Sequence, residues 1–264
     1  MEQGIAAAWG TTTPAIPQSR ALHLMPRGLI LAFGFLTRIP MPSLSGFRDE
    51  ELSSSAIWFP LVGLTLGLLL VLATAAVSNA WLASLVALLV WIIITGGLHL
   101  DGASDLADAL GAAHRDPERL LAVMKDPHTG SFGVVAIASI LITKLVTMAT
   151  LFEASANHLW PLLLIPAWAR FGAIFWSQTL DAIAPGSGER FKWDLPESTL
   201  WGWGVVLFLA TWLSMSLLFA LACIAVLLLW RSFLTWRLGG MNGDCLGAGI
   251  EYSECLMLLA AGLL

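Results

Sequence analysis

Apolar runs long enough to cross a lipid bilayer recur along the sequence and restrict the folds open to it. Residues 56–78 form the first run, and residues 81–99 form the second after a turn of only a few residues. Because a bilayer core of about 30 Å needs about 20 apolar residues in a helix, each run predicts one span. Of the 264 residues, 58% are hydrophobic and only 12% are charged, about half the charge of a soluble domain. The sequence therefore predicts an all-α, polytopic integral membrane helical bundle.

The second half of the sequence contains further predicted spans. Residues 131–152 and 159–180 each predict one crossing. The apolar stretch 200–236 is long for one span and short for two, and a single crossing would place Arg231 and Arg237 outside, against the positive-inside rule. We therefore expect a helical hairpin that turns near residues 214–216. Adding residues 250–264, a last helix that is short for a full crossing, gives about six to seven spans.

The amino-terminal part is predicted to lie outside the spans. Residues 1–26 resemble neither a signal peptide nor a span, and we expect a poorly ordered tail. Residues 27–42 have an apolar core too short to cross the bilayer, and Pro40 and Pro42 end it. This pattern favours a short re-entrant or interfacial helix. Residues 27–264 are expected to form a single transmembrane catalytic domain.

The distribution of lysine and arginine predicts the orientation of the spans. The turn after the first span has neither residue, whereas the loop after the second span carries Arg115, Arg119 and Lys125. By the positive-inside rule, the amino-terminal segment and this loop face the cytoplasm. The hairpin expected near residues 214–216 places the segment 238–249 on the same side.

The long charge-rich interval between apolar segments covers residues 96–133 and contains Asp101, Asp105 and Asp108. At about 100° per residue, spacings of four and three residues put all three carboxylates on one helix face. Charges this close repel unless a cation lies against them, and carboxylate oxygens suit a hard ion such as Mg²⁺, Mn²⁺ or Ca²⁺. A solvated acidic helix face is the alternative, although acids beside membrane spans are functional candidates by default.

A second polar segment, GGMNGD at residues 239–244, is predicted on the same membrane face. Its glycines allow backbone N–H groups to approach a phosphate, although by itself such a segment is typical of a turn. Lys144 and Arg170 lie within predicted spans, where they either pair with acids and carbonyls or neutralise a phosphate. The planar guanidinium makes Arg170 the better phosphate ligand of the two. Arg38 is either a positive-inside anchor or another phosphate ligand.

Metal-binding carboxylates together with arginine and lysine suit phosphoryl transfer from a diphosphate. The segment GGLHLDGASDLADALG at residues 96–111, followed by RLLAVMKDPHTGSFGV at 119–134, resembles the signature of the cobalamin synthase family, the adenosylcobinamide-GDP ribazoletransferases. The likeness extends to LTRIP at 36–40, FPLVG at 59–63 and GGMNGD at 239–244, in the same order along the chain.

The resemblance implies a multi-pass enzyme of the bacterial cell inner membrane with its active site on the cytoplasmic side. Such an enzyme joins adenosylcobinamide-GDP to α-ribazole or its 5′-phosphate, releases GMP and requires Mg²⁺. The ribazole 3′-hydroxyl would attack the phosphorus attached to the corrinoid side chain. The net charge of −5 is small and says little about partners. Besides the lipid bilayer we expect no nucleic-acid partner, and a homo-oligomer is compatible with the sequence.

The resemblance also implies roles for individual residues. The matching acidic motif implies a metal and diphosphate site at Asp101, Asp105 and Asp108, and the Met-Lys-Asp element implies that Asp126 completes the metal shell or acts as a base. His99 is a candidate to orient a carboxylate or to shuttle a proton, although an interfacial histidine at the end of a span is an equal alternative. The predicted catalytic residues are Asp101, Asp105, Asp108 and Asp126. The predicted substrate-binding residues are Arg38, His99, Gly102, Lys125, Arg170, Gly240, Asn242 and Asp244.

The chain departs from the family pattern at one place, and two other functions remain open. Where the family usually has Ala-Asp-Thr-Ala-Asp-Gly, residues 104–109 read Ser-Asp-Leu-Ala-Asp-Ala and lack the threonine hydroxyl and the glycine. A CDP-alcohol phosphotransferase would share metal-bound aspartates, but no arginine follows Gly102 at the expected position. A transporter lined by Lys144 and Arg170 is less favoured, because we find no internal repeat.

Overall fold

The structure is a computed structural model that describes residues 27–44, 46, 49–113, 117–154, 159–184, 191–193 and 195–264. In these residues the protein is built from α-helices, and the β-type pairing described is one isolated bridge between Ala182 and Met241. The predicted tail 1–26 and the loop residue Arg115 lie outside the described residues.

The first helices lead into a long apolar segment. Helix α1 covers Arg27–Leu36, and α2 covers Asp49–Ser55. A 3₁₀ turn at Ala56–Trp58 joins α2 to α3, Phe59–Thr74. Pro60 lies in the first turn of α3, where its missing N–H has no intrahelical partner to lose. The described segment Glu51–Thr74 is thereby long and apolar enough to cross a membrane.

A sharp bend separates the next two helices. Helix α4 covers Ala80–Thr95 and α5 covers Leu98–Ala112, with an angle of 87° between them. The span expected over residues 81–99 therefore ends earlier than predicted. The reason is that Gly96 and Gly97 both adopt left-handed backbone conformations, with φ of 64° and 70°, which stop α4 and turn the chain.

Six more helices complete the described part of the chain: α6 (Pro117–Met124), α7 (Ser131–Ala154), α8 (Leu159–Thr179), α9 (Glu197–Ser214), α10 (Leu217–Leu238) and α11 (Gly243–Leu263). The break between α9 and α10 falls where the hairpin was predicted, and the Ser216 hydroxyl caps α10. Helix α11 begins seven residues before the expected start at residue 250, because the Asn242 side chain accepts a hydrogen bond from Cys245 N.

Among the described residues, five helical segments are long and apolar enough to span a membrane: Glu51–Thr74, α7, α8, α10 and α11. Counting the bent pair α4 and α5 as one span gives six. The all-helical, polytopic membrane fold predicted from the sequence is confirmed. The count of five, or six with the bent pair, compares with the six to seven spans expected, and α9, the first arm of the predicted hairpin, is not one of the five segments. Helix α5 turns away from α4 and is not itself one of the five segments.

Helix α8 lies at the centre of the bundle. It packs along α3, where a Cβ on Gly63 or Gly67 would come within 2.4 or 2.5 Å of α8 carbonyl oxygens, so these two glycines allow the two helices to approach closely. The indole of Trp168 donates to Thr211 of α9 at 2.8 Å, and that of Trp176 donates to the Leu227 carbonyl of α10 at 2.9 Å. Helix α11 packs against α5, α7 and α8, which brings its first turn to the acidic helix α5.

Candidate active site on helix α5

The glycine bend between α4 and α5 places Arg38 beside the candidate site. The backbone N–H of Arg38 donates to the Ile94 carbonyl at 2.6 Å. A Cβ on Gly96 would lie 2.5 Å from Cγ of Arg38, so the arginine side chain lies directly over this glycine. The side chain is exposed. A cationic group is thereby held at the entrance to α5, as the phosphate-binding interpretation of Arg38 requires.

Two glycines allow α5 and α11 to pack backbone against backbone. A Cβ on Gly102 would come within 3.0 Å of the backbone of Asp244, and one on Gly247 would lie 3.4 Å from Cα of His99. Gly102 is buried by this contact, so the structure assigns it a packing role. The contact sets Asp244, in the first turn of α11, against the acidic face of α5.

Four carboxylates act on one another across this contact. Asp101 is exposed, and Asp105 and Asp244 are half-buried. Burial, together with the charges of Asp101, Asp244 and Asp108, raises the pKa of Asp105 to about 6. The predicted convergence of the acidic helix with the segment 239–244 is thus present in the structure, and it concentrates negative charge at one place.

Asn242 organises the start of α11 and the Asp244 carboxylate. Its Oδ1 accepts from Cys245 N at 2.9 Å, while its Nδ2 donates to Oδ2 of Asp244 at 3.0 Å. The same Nδ2 also contacts Sδ of Met124 at 3.4 Å. Asn242 is buried, so it fixes the direction of Asp244 and brings the end of α6 to the site.

Asp108 holds the beginning of helix α7. Its two carboxylate oxygens accept hydrogen bonds from the backbone N–H groups of Gly130, at 2.7 Å, and Gly133, at 2.9 Å. A carboxylate at a helix N-terminus satisfies donors that have no intrahelical acceptor and interacts favourably with the helix dipole. A Cβ on either glycine would come within 2.4 Å of an Asp108 oxygen. Asp108 therefore serves helix capping, in addition to lying on the predicted acidic face.

The Met-Lys-Asp element lies at the end of α6, with Lys125 and Asp126 both exposed in the loop that follows. The Asp126 carboxylate accepts from the backbone N–H of His128 at 3.0 Å and lies 2.7 Å from Nδ1 of the same residue. These hydrogen bonds hold the pKa of Asp126 below its ordinary value. The described contacts of Asp126 are therefore local to its loop.

Gly240 joins the segment 239–244 to the end of α8. Met241 N donates to the Asp181 carbonyl at 2.8 Å, and Ile183 N donates to the Met241 carbonyl at 3.0 Å. A Cβ on Gly240 would lie 2.6 Å from the same Asp181 carbonyl oxygen. The predicted substrate residue Gly240 is buried, and its described contacts are structural.

Arg170 belongs to a buried ion network that links α7, α8 and α11. Its guanidinium donates to the Glu254 carboxylate and, at 3.2 Å, to the Pro166 carbonyl. Lys144 Nζ lies 2.7 Å from Glu251 and 2.5 Å from Glu254, and 4.3 Å from the centroid of the Trp91 ring. The structure thus places Arg170 away from the exposed acids, in the pairing that was the alternative interpretation of the intramembrane cations.

Sequence reasoning missed Glu251 and Glu254. Their spacing of three residues in an apolar helix, with two cations in other spans, is the signal that could have revealed the network. His99 lies nearby and is buried, and its Nδ1 has no hydrogen-bond partner among the described residues. The histidine is therefore interior rather than exposed at the carboxylate face.

The site supplies hard oxygen donors and uncompensated negative charge. No three His, Cys, Asp or Glu side chains in the described part of the chain converge closely enough to hold an ion by themselves. Mg²⁺ in phosphoryl-transfer sites is usually bound by one or two carboxylates together with substrate phosphates and water. The exposed Asp101 and the half-buried Asp105 fit that chemistry, whereas both Asp108 oxygens already accept backbone hydrogen bonds.

Fold and site together define a polytopic helical membrane protein with a carboxylate cluster on a bent helix pair. Residues 28–262 match the family model of CobS, cobalamin-5-phosphate synthase, and the chain belongs to this family. The adenosylcobinamide-GDP ribazoletransferase of Thiobacillus denitrificans is 47% identical over 243 residues, covering 90% of this chain and 95% of that protein. The protein of the same name from Laribacter hongkongensis is 48% identical over 240 residues, covering 89% and 96%. No solved structure matches the chain.

Proposed function

We propose that this protein is a membrane transferase that joins adenosylcobinamide-GDP to α-ribazole or α-ribazole 5′-phosphate. A ribazole hydroxyl oxygen loses its proton and forms the new bond to the phosphorus attached to the corrinoid side chain. The bond from that phosphorus to the oxygen that leaves with GMP breaks. The products are adenosylcobalamin, or its 5′-phosphate, and GMP. The family match over residues 28–262 and the names of relatives at 47% and 48% identity support this reaction.

Asp101 and Asp105 are the carboxylates we assign to Mg²⁺, with Asp244 directed at the same place by Asn242. When bound, Mg²⁺ would neutralise negative charge on the diphosphate and on the departing phosphate. The carboxylates themselves would hold and orient the ion, whereas cationic side chains bind the diphosphate oxygens. We assign Asp108 to the positioning of α7, since both of its carboxylate oxygens already accept hydrogen bonds from the backbone N–H groups of Gly130 and Gly133.

Arg38 and Lys125 are the cations we assign to phosphate oxygens. Both side chains are exposed, one beside the bend that begins α5 and the other just after α6. An exposed guanidinium can bind two phosphate oxygens at once, whereas Lys125 supplies a single point charge. The excess of basic residues in these segments favours a cytoplasmic active site in the bacterial inner membrane.

The observation that carries the proposal is the approach of Asp244 to the acidic face of α5 at Gly102. The test uses detergent-purified protein with adenosylcobinamide-GDP, α-ribazole and Mg²⁺, and follows corrinoid product and GMP by chromatography. We expect equal amounts of both products and their loss with EDTA. Asp105→Asn should lower kcat by about 10²-fold or more, the scale seen when one charge-stabilising group is removed.

Glu153→Gln is the matched control, because Glu153 is exposed near the end of α7 that lies away from Asp108. It should leave the rate unchanged. Failure of folded wild-type protein to form product would reject the proposed reaction, and the same assay with CDP-activated donors would then test the phosphotransferase alternative. Activity that survives in Asp105→Asn would remove the carboxylate from its assigned role.

A further inference from the structure

A large apolar cavity lies between α8, α9 and α10, and none of the carboxylates of the candidate site lines it. Its volume is about 1150 Å³, slightly above the usual range for small-molecule sites. Apolar side chains dominate its lining, and six of them are aromatic: Trp168, Phe171, Phe175, Trp193, Trp201 and Phe208. The reaction proposed above assigns no role to this space.

The cavity opens toward the surroundings of the helices. Trp201, Val205 and Leu228 line it, and they are 74%, 52% and 49% exposed. Since α8 and α10 are long and apolar enough to span a membrane, the surroundings at this depth are lipid. An apolar opening on such a surface admits molecules that are already in the bilayer.

The polar residues of the lining are gathered at one end. Gln178 and Thr179 lie in the last turn of α8, Lys192 lies in the following connection, and Glu197 lies in the first turn of α9. From Trp168 to Thr179 the lining of α8 spans about 16 Å at 1.5 Å per residue. This length is about half of a 30 Å hydrocarbon core, the depth of one lipid leaflet.

The polar end carries both signs of charge. Lys192 Nζ lies 2.5 Å from the Asp181 carboxylate, and these side chains are 52% and 84% exposed. Such an exposed pair is weak and can be shared with another anion. Glu197 is exposed and offers a negative group beside it. A head group with a phosphate and an ammonium complements this rim.

We propose that the α8–α10 cavity binds one zwitterionic phospholipid from the adjoining leaflet. Its acyl chains occupy the aromatic part of the cavity, its phosphate lies at Lys192, and its ammonium lies at Glu197. The bound lipid fills the space between α9 and the rest of the bundle. The lining of this site includes none of the carboxylates of the candidate active site, and its occupation can be measured without the transferase reaction.

Two glycines of α9 provide a matched test. Gly204 lines the cavity, and a Cβ there would lie 3.4 Å from Phe171, whereas a Cβ on Gly202 would meet nothing within 4 Å. The two substitutions Gly204→Leu and Gly202→Leu change the same helix in the same way, but only the first places a side chain in the cavity. Purified full-length protein in detergent is titrated with palmitoyl-oleoyl-phosphatidylethanolamine, and bound lipid is counted by native mass spectrometry.

We expect one tightly retained lipid per wild-type chain, about tenfold weaker retention in Gly204→Leu, and wild-type retention in Gly202→Leu. Lys192→Glu, on the exposed rim, should weaken retention without filling the cavity and so covers the case in which Gly204→Leu fails to fold. Equal retention in wild type, Gly204→Leu and Lys192→Glu would overturn the proposal. Displacement of the lipid from wild-type protein by α-ribazole would also overturn it, since the cavity would then be a substrate site.

Discussion

Glu254 holds the buried ion network together, so its neutralisation should be the most damaging isosteric change in the transmembrane core. Its carboxylate accepts from Lys144 and from Arg170, and all three side chains are at most 3% exposed. In the intact network two cations face two carboxylates. Glu254→Gln keeps the size and leaves two cations facing Glu251 alone, with one uncompensated positive charge inside the bundle.

Removing one partner from a buried ion pair costs about 3–5 kcal/mol, mostly because the remaining charge stays desolvated. For a chain of roughly this size, each kcal/mol corresponds to about 2–4 °C in Tm, so we expect Tm to fall by about 10 °C. Glu251→Gln should lower Tm less, because Lys144 and Arg170 each keep a bond to Glu254. The double variant Lys144→Met with Glu254→Gln leaves Arg170 and Glu251 as a balanced pair and should recover part of the loss.

Thermal unfolding with a thiol-reactive fluorophore measures these differences directly, since the cysteines of the sequence, Cys223, Cys245 and Cys255, are all buried. Wild type, both single variants and the double variant are heated in the same detergent. A Tm for Glu254→Gln within about 2 °C of wild type, less than 1 kcal/mol, would refute the assigned role. So would a double variant that unfolds below Glu254→Gln, because neutralising the leftover charge would then have brought no benefit.

Three further predictions concern the candidate site. Gly96→Ala should lower activity more than Gly97→Ala, because only the first Cβ would meet a side chain, at 2.5 Å; steady-state kinetics compare them, and equal effects would contradict the packing argument. Asp108→Asn should destabilise the start of α7 by about 1–2 kcal/mol, which hydrogen exchange would show as faster amide exchange at residues 130–133. The apparent Mg²⁺ affinity should stay unchanged, and a weaker affinity would mean that Asp108 is a metal ligand. Asn242→Asp should keep Tm better than Asn242→Ala, since an oxygen can still cap α11, but should lose activity by placing a like charge beside Asp244; unchanged activity would contradict this.

Local sequence patterns predicted most of the fold. Apolar length predicted the spans, and the unfavourable placement of Arg231 and Arg237 predicted the hairpin, whose break falls at residues 214–217. Two predicted boundaries were wrong, the end of the second span and the start of the last helix, and both errors have local causes that only the backbone conformation reveals. Gly96 and Gly97 could each have continued a helix, and their positive φ values ended it. Asn242 could have stayed in a loop, but its side chain begins α11 instead.

The candidate site was only partly predictable, because spacing on one helix does not show what lies opposite. The spacing of Asp101, Asp105 and Asp108 predicted a shared face, and the charges of Asp101 and Asp108 do act on Asp105. That Asp108 accepts from the N-terminus of α7 depends on a contact 22 residues away in sequence. The pairing of Arg170 with Glu254 joins residues 84 positions apart, a distance at which helical periodicity carries no information.

The buried ion network and the cluster of carboxylates around Asp105 differ in charge balance, and this difference bears on function. The buried network contains two cations and two carboxylates, so its charge is balanced within the chain. The carboxylates around Asp105 repel one another, and among the described ion pairs none involves Asp101, Asp105 or Asp244. Arg170 already compensates Glu254 in the membrane interior, whereas Arg38 and Lys125 are exposed and are the cations we propose for an anionic substrate. A balanced interior beside an unbalanced acidic face is the arrangement expected where the compensating cation enters with a diphosphate substrate.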